Sequence, residues 1–203
     1  TAADGCAGMT QDSRATDATR AAVDACRRDL PSPIRPPEAV LGFDGFVDTV
    51  RRVVDERHDP KSFEPMTELG AFGERIAASA AERSSITVEW TRDGTRTGGH
   101  TCHVARALIG FGASPTMIGA YGDPERDVFA DEFEAAQRYS FGEPNYTEAV
   151  EFDDGKLLVT ETGATRTLDW ETLVDAVGVE TLVARLDGAD LFGMGYWVVV
   201  PDF

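Results

Sequence analysis

Lysine is nearly absent from this chain. Lys61 and Lys156 are the only two, and the other 17 of its 19 cations are arginines. Against them stand 36 Asp and Glu, a formal net charge of -17 over 203 residues. No Lys/Arg cluster offsets the acids, so the surface repels phosphates, which excludes nucleic acid as a partner. The acids are spread along the whole chain instead of forming a patch for one basic partner. That distribution fits a halophilic, acidic protein kept hydrated in a salt-rich cytoplasm. Cysteine is scarce too: Cys6, Cys26 and Cys102 are an odd set without a CxxC pair. A disulfide scaffold is thereby excluded, and an intracellular, cytoplasmic location is expected. Apolar runs stop well short of the roughly 20 residues that span a bilayer, and no charged segment followed by an apolar stretch opens the chain. Neither a membrane helix nor a signal peptide is expected.

Common catalytic signatures are missing as well. There is no GxxxxGK[ST] phosphate loop, no HExxH and no GxSxG. No GxGxxG follows a strand; Gly110-Phe111-Gly112 lacks the third glycine and reads as a helix stop. His100, Cys102 and His103 share a helix start, and the two histidines lie three apart on one face. Further metal ligands would have to come from distant residues that nothing indicates, so no metal site is expected.

What is present is an α/β pattern with enough apolar residues, 42%, to fill a core. Ala15, Ala18, Ala22, Val23 and Cys26 recur at helical spacing from Asp12 to Leu30, and four prolines between Pro31 and Pro37 end that helix. Residues 1–37 are therefore read as a helical extension and stiff linker, and residues 38–203 as one α/β domain. Within it, Ala39–Phe43 and Pro115–Gly119 suit short buried strands. Helices are predicted over Glu68–Ala81, His100–Phe111, Val128–Arg138 and Asp169–Val177, the last with Asp169 as its cap. Asp153-Asp154-Gly155 between Ala149–Phe152 and Lys156–Thr160 signals a hairpin. Ala189–Gly193 and Trp197–Val200 are strand-like. Two more polar pieces, residues 48–56 and 86–97, look like a small extra sheet, with Gly94 in a turn of the second.

Two segments carry the candidate chemistry. In Gly42-Phe43-Asp44-Gly45-Phe46-Val47-Asp48 a buried strand ends in paired acids, where open α/β sheets place their ligand crevice. A carboxylate there can accept hydrogen bonds from vicinal hydroxyls, though Asp44 or Asp48 could equally close a turn. In Thr97-Gly98-Gly99-His100-Thr101-Cys102-His103 a glycine pair precedes a helix. Such a pair permits close backbone approach and large dihedral changes, and a plain turn would use it too.

In this order and spacing, the two segments resemble the amino-terminal half of the ribokinase-like (PfkB) carbohydrate kinases. The resemblance continues through Leu108-Ile109-Gly110-Phe111-Gly112-Ala113, Ile118-Gly119-Ala120-Tyr121-Gly122-Asp123 and the hairpin from Glu151 to Leu157, covering roughly residues 39–200. It implies a three-layer α/β/α domain with a mostly parallel central sheet, incomplete at the carboxy end. A small β-sheet lid, built from about 48–56 and 86–97, would close over a sugar or nucleoside. Asp48 matches the family's substrate-hydroxyl aspartate, and Asp44 stands where an asparagine is frequent. Gly98 and Gly99 match the hinge glycines, and His103 replaces a usual substrate-contacting asparagine. Trp197 falls in a strand-end region that lines the sugar pocket. Pairing of lids into a homodimer is the assembly the resemblance allows.

The family's late GAGD-type motif, which supplies the catalytic base and anion hole, has no counterpart here. The resemblance thus assigns this chain the substrate-binding part of a kinase. Catalytic residues, nucleotide (ATP or ADP) and Mg²⁺ are expected in a carboxy-terminal part, with none bound by these residues alone. The competing reading is a non-catalytic short protein that binds a sugar-like ligand or a partner chain. If the acid excess is a salt adaptation, the thermal unfolding midpoint rises between about 0.1 M and roughly 2 M KCl. A midpoint that stays level or falls would remove that explanation.

Overall fold

The computed structural model describes residues 17–29 and 35–196. The chain divides into two compact units, Thr1–Arg35 and Pro36–Phe203. In the first, Asp17–Asp29 forms helix α1. Asp17 in its first turn and Arg27 and Arg28 in its last complement the helix dipole. None of its residues is buried.

The second unit is built on two sheets. One is parallel, with β6 (Gln137–Ser140), β5 (Thr116–Gly119), β1 (Ala39–Gly42) and β9 (Leu191–Met194) side by side in that order. The central strands AVLG and TMIG are buried along their length, as parallel strands covered on both faces must be. Alternate side chains feed opposite faces. Val40 and Ile118 join Leu173 of α5 (Trp170–Val177) and Leu182 of α6 (Val179–Asp187) on one side. Leu41 and Met117 join Cys102 and Ala105 of α3 (His100–Gly110) and Phe129 of α4 (Asp127–Glu132) on the other. The result is the three-layer α/β/α arrangement that the alternation of strands and helices implies. Asp169 caps α5 as expected, accepting from the Thr172 amide.

The second sheet is mixed and centres on β2 (Phe46–Arg57). Antiparallel to β2 run β4 (Trp90–Gly98), along Phe46 to Val53, and β3 (Phe63–Pro65), at the far end from Val54 to Arg57, while β7 (Asn145–Glu151) pairs in parallel with Phe46 to Arg51. The hairpin partner β8 (Lys156–Glu161) completes it. Helix α2 (Leu69–Ala81) covers one face, with Phe72 packing into a cluster of Val53, Met66, Val150 and Phe152. Asp154 of the hairpin turn accepts from the Leu69 amide and so caps α2.

Three local expectations change. Strand β4 begins at Trp90 instead of 86, and Gly94 lies inside it, at φ 150°, in a bulge where β4 carries one extra residue, Asp93, against the Val50–Arg51 step of β2, not in a turn. The predicted helix over 128–138 ends at Glu132, and residues 137–140 form β6. Phe129 and Phe133, four apart, are both buried, which is why the pattern reads as continuous helix. The Arg138 guanidinium donates to the Phe133 and Ala136 carbonyls and holds the chain reversal that sends 137–140 into the sheet. Finally, the second sheet is larger than two strands, because the hairpin β7–β8 belongs to it. The segment Trp197–Val200 lies outside the described residues.

Gly45 is where β1 passes into β2, and a Cβ there would sit 1.9 Å from the Ala120 carbonyl oxygen. Gly73, exposed in α2, has nothing within 4 Å of its Cβ position. Gly45→Ala is expected to destabilise by about 3 kcal/mol, since backbone must move. Gly73→Ala is expected to stabilise by about 0.5–1 kcal/mol through helix propensity. Thermal and denaturant unfolding of the two variants checks the pair of opposite signs.

Candidate functional site

Strand β1 ends at Gly42, and the chain turns through Phe43-Asp44-Gly45 into β2. The helix α3 begins beside this turn, after β4 delivers Gly98 and Gly99. The two acids of the motif point to opposite sides of that glycine pair. Asp44 has no exposed surface. Its Oδ2 accepts from the His100 amide at 2.6 Å, and its Oδ1 accepts from the Thr101 amide at 2.9 Å and hydroxyl at 2.5 Å. A carboxylate engaged by the first free N–H groups of a helix satisfies the helix terminus and meets its positive end. Asp44 therefore lies beneath the cleft, holding the start of α3, and presents no atom to solvent. Gly99 adopts φ 95°, and a Cβ on it would fall 2.3 Å from Asp44 Oδ2.

Asp48 stands on the other side. A Cβ on Gly98 would sit 2.5 Å from Asp48 Oδ2, so the carboxylate rests directly against the glycine backbone. Asp48 and His103 both line a cavity of about 410 Å³ whose walls include Phe46, Gly99, Thr147, Thr160 and Tyr196. A second lobe of about 790 Å³ shares Asp48, His103 and Leu158 and extends toward Arg96, Glu151 and Lys156. Partial burial raises the Asp48 carboxyl above the usual aspartate value. A hydrogen bond from Thr147 and the charges of Lys156 and Arg96 oppose this without cancelling it. An acceptor that has lost water without gaining a full set of donors is suited to taking hydroxyl groups from a ligand.

Of the residues singled out in the sequence, the fold brings Asp48, Gly98, Gly99 and His103 to one cleft, with Asp44 under it. Trp197 lies outside the described residues. The two histidines part company: His100 lies against Gly195, where a Cβ would meet its ring at 2.3 Å, while His103 Nδ1 pairs with Arg106 at 2.9 Å. Among the described residues no group of three His, Cys, Asp or Glu is placed to hold a metal ion.

Several lining residues escaped sequence reasoning. Thr147 and Thr160, with hydroxyls 3.2 Å apart, face the cleft because β7 pairs with β2 and β8 with β7. Nothing local marks them. Tyr196, by contrast, belongs to the Gly195-Tyr196-Trp197 segment that the family resemblance matches to a pocket-lining strand end, and it flanks Phe46 with ring centroids 5.8 Å apart. Glu132, Arg106 and Thr97 are joined by hydrogen bonds from three separate elements. For this trio only the i,i+3 spacing of His103 and Arg106 was a readable signal.

A sequence profile described as prokaryotic ketohexokinase matches residues 15–203. A ketohexokinase from Haloferax volcanii is 44% identical over 186 residues, covering 92% of this chain and 50% of the relative. The chain thus spans half the length of that curated relative. Among solved structures, a carbohydrate kinase from Agrobacterium tumefaciens aligns with a TM-score of 0.48 at 15% identity, covering 77% of this chain and 44% of that one. Arabidopsis thaliana ribokinase complexed with ribose and ATP aligns with a TM-score of 0.45 at 12% identity, over 79% and 45% of the two chains.

The raised Asp48 carboxyl has a consequence for stability. Because its folded-state pKa lies above the unfolded one, the native state holds its proton longer, and stability falls as pH rises through the window just above the usual aspartate range. Asp48→Asn is expected to unfold at a temperature equal to or above that of the parent chain at pH 7. The advantage should shrink as pH falls below that window. Melting curves across pH 3–8 check this, and a large loss of stability at pH 7 would contradict it.

Proposed function

The chain belongs to the prokaryotic ketohexokinase family, and from that premise we propose that it forms the sugar-binding part of an enzyme that phosphorylates a ketohexose such as fructose. The observation that carries the reading is the Asp48 carboxylate, partly desolvated and resting on the Gly98 backbone at a cavity of sugar size. Asp48 accepts hydrogen bonds from vicinal sugar hydroxyls. His103, Thr147 and Thr160 offer further polar contacts, and Phe46 and Tyr196 supply the apolar wall. The mixed sheet acts as the lid, and the glycine pair between β4 and α3 is the hinge on which it closes to exclude water. The proposed assembly, which the family resemblance allows, is a homodimer that pairs two such lids.

Phosphoryl transfer in the complete enzyme moves a terminal phosphoryl group from ATP or ADP to the sugar hydroxyl, whose proton passes to a base. Mg²⁺ and nucleotide supply charge neutralisation when bound. The described residues offer no metal-holding cluster, and the start of α3 beside the glycine pair has its His100 and Thr101 amides taken by Asp44. No step is therefore assigned to nucleotide or metal here. What these residues do is bind the sugar, orient it and shut out water. The proposed location is the cytoplasm, at elevated salt.

Phosphorylation of fructose by the full-length protein, followed in high salt with ATP and with ADP, tests the reading. Asp48→Ala is expected to lower kcat/KM by about 100-fold or more, and the fold should survive the change. Unchanged kcat/KM in that variant would remove Asp48 from the site.

A further inference from the structure

His103 lines both lobes of the cleft together with Asp48, and one of its two ring nitrogens is already committed. Arg106 Nη1 lies 2.9 Å from His103 Nδ1. A guanidinium has five N–H donors and no acceptor, and it stays charged at any working pH. In this contact Nδ1 can only accept. The neutral ring must then carry its proton on Nε2, which diverges from Nδ1 across the ring and has no partner among the described residues. A protonated ring would set donor against donor and charge against charge.

Arg106 is itself immobilised from three directions. Its Nε donates to Glu132 at 2.5 Å, and its Nη2 donates to the Thr97 hydroxyl at 2.9 Å and carbonyl at 3.4 Å. The Thr97 hydroxyl in turn donates to the other Glu132 oxygen, closing a ring of hydrogen bonds among β4, α3 and α4. Burial alone would raise the Glu132 carboxyl, but the bonds from Arg106 and Thr97 hold it below the usual range. The guanidinium also lies 6.0 Å from the centre of the Phe133 ring. Such a clamp gives the histidine one orientation and one tautomer.

We propose that Arg106 is a positioning residue that locks His103 as an Nε2–H donor, and that this donor and the Asp48 acceptor form a polarity pair reading the sugar. The ligand selected offers hydroxyl hydrogens to Asp48 and a lone-pair oxygen (hydroxyl, carbonyl or ring) to His103. An asparagine side chain in place of His103 could either donate or accept, so it would need no such lock. The selection of a sugar rests on the kinase reading above; the tautomer lock does not.

The lock is tested by long-range ¹H–¹⁵N NMR of the histidine rings in this chain, at about pH 8.5, where an ordinary imidazole is neutral. The His103 signals are assigned from their loss in His103→Asn. Expected is an Nε2-protonated, Nδ1-bare ring in the parent chain, with an Nδ1–H fraction emerging in Arg106→Met. An Nδ1-protonated parent ring, or an identical tautomer ratio in both chains, overturns the lock. The selection is tested in the full-length enzyme with fructose and fructose deoxygenated at single positions. Arg106→Met is expected to raise KM roughly tenfold with a smaller change in kcat, and to have little further effect in a His103→Asn background. An equal KM penalty in both backgrounds would show that Arg106 acts through something other than His103. If the complete protein turns over no ketose, the kinase reading and the selection fall together, while the ring spectra still decide the lock.

Discussion

A single buried carboxylate organises the cleft. Removing Asp44 from water is costly, and the charge is tolerated because three donors from the first turn of α3 converge on it. Those donors are also the groups a helix start leaves unsatisfied. One interaction therefore satisfies two liabilities that would each be destabilising alone. It also fixes geometry, since Asp44 sits at the end of β1 and its partners at the start of α3. The glycine pair between them has little freedom to sit elsewhere: Gly99 is pressed against Asp44 and Gly98 against Asp48. The cleft acid inherits its position from the acid underneath.

The two sheets divide the labour. The parallel sheet is a buried platform whose alternate residues feed two helical layers, and its strand ends define where the cleft opens. The mixed sheet is thinner and more polar, covered on one face by α2 and bearing Asp48, Thr147 and Thr160 on the strands that border the cavity. Short connections join them at residues 43–45, 98–99 and 141–144, and the chain returns from β8 to the parallel sheet by way of α5 and α6; the first two meet at Asp44. The cavity thus lies where a stiff body and a lighter one meet. Ligand pockets commonly occupy such places.

How much of this was legible in the sequence depended on how local the signal was. AVLG and TMIG announce buried strands because both faces are covered, and Asp169 announces a cap because its side chain bonds within its own turn. Asp44 and Asp48 were both visible as candidates, but type and spacing could not separate a cap from an exposed acceptor. That distinction depends on which donors arrive from α3, more than 50 residues away. Gly94 read as a turn because a glycine in a bulge and one in a turn look alike without the partner strand. Residues 137–140 read as helix because Phe129 and Phe133 continue a helical period up to the reversal that Arg138 holds. Thr147 and Thr160 carried no signal, since their place comes entirely from strand pairing.

That pairing also orders events along the chain. Strand β2 meets β4 about 40 residues later but meets β7 only after nearly 100, in parallel register from Phe46↔Asn145 to Arg51↔Val150. Closing so long a loop must precede any reward from the contacts it makes, which places that edge of the sheet late in assembly. A nascent chain can hold its acid and glycine pair together well before Thr147 and Thr160 arrive to wall them in. The grip on a ligand is accordingly complete only after residues 145–161 have joined the sheet.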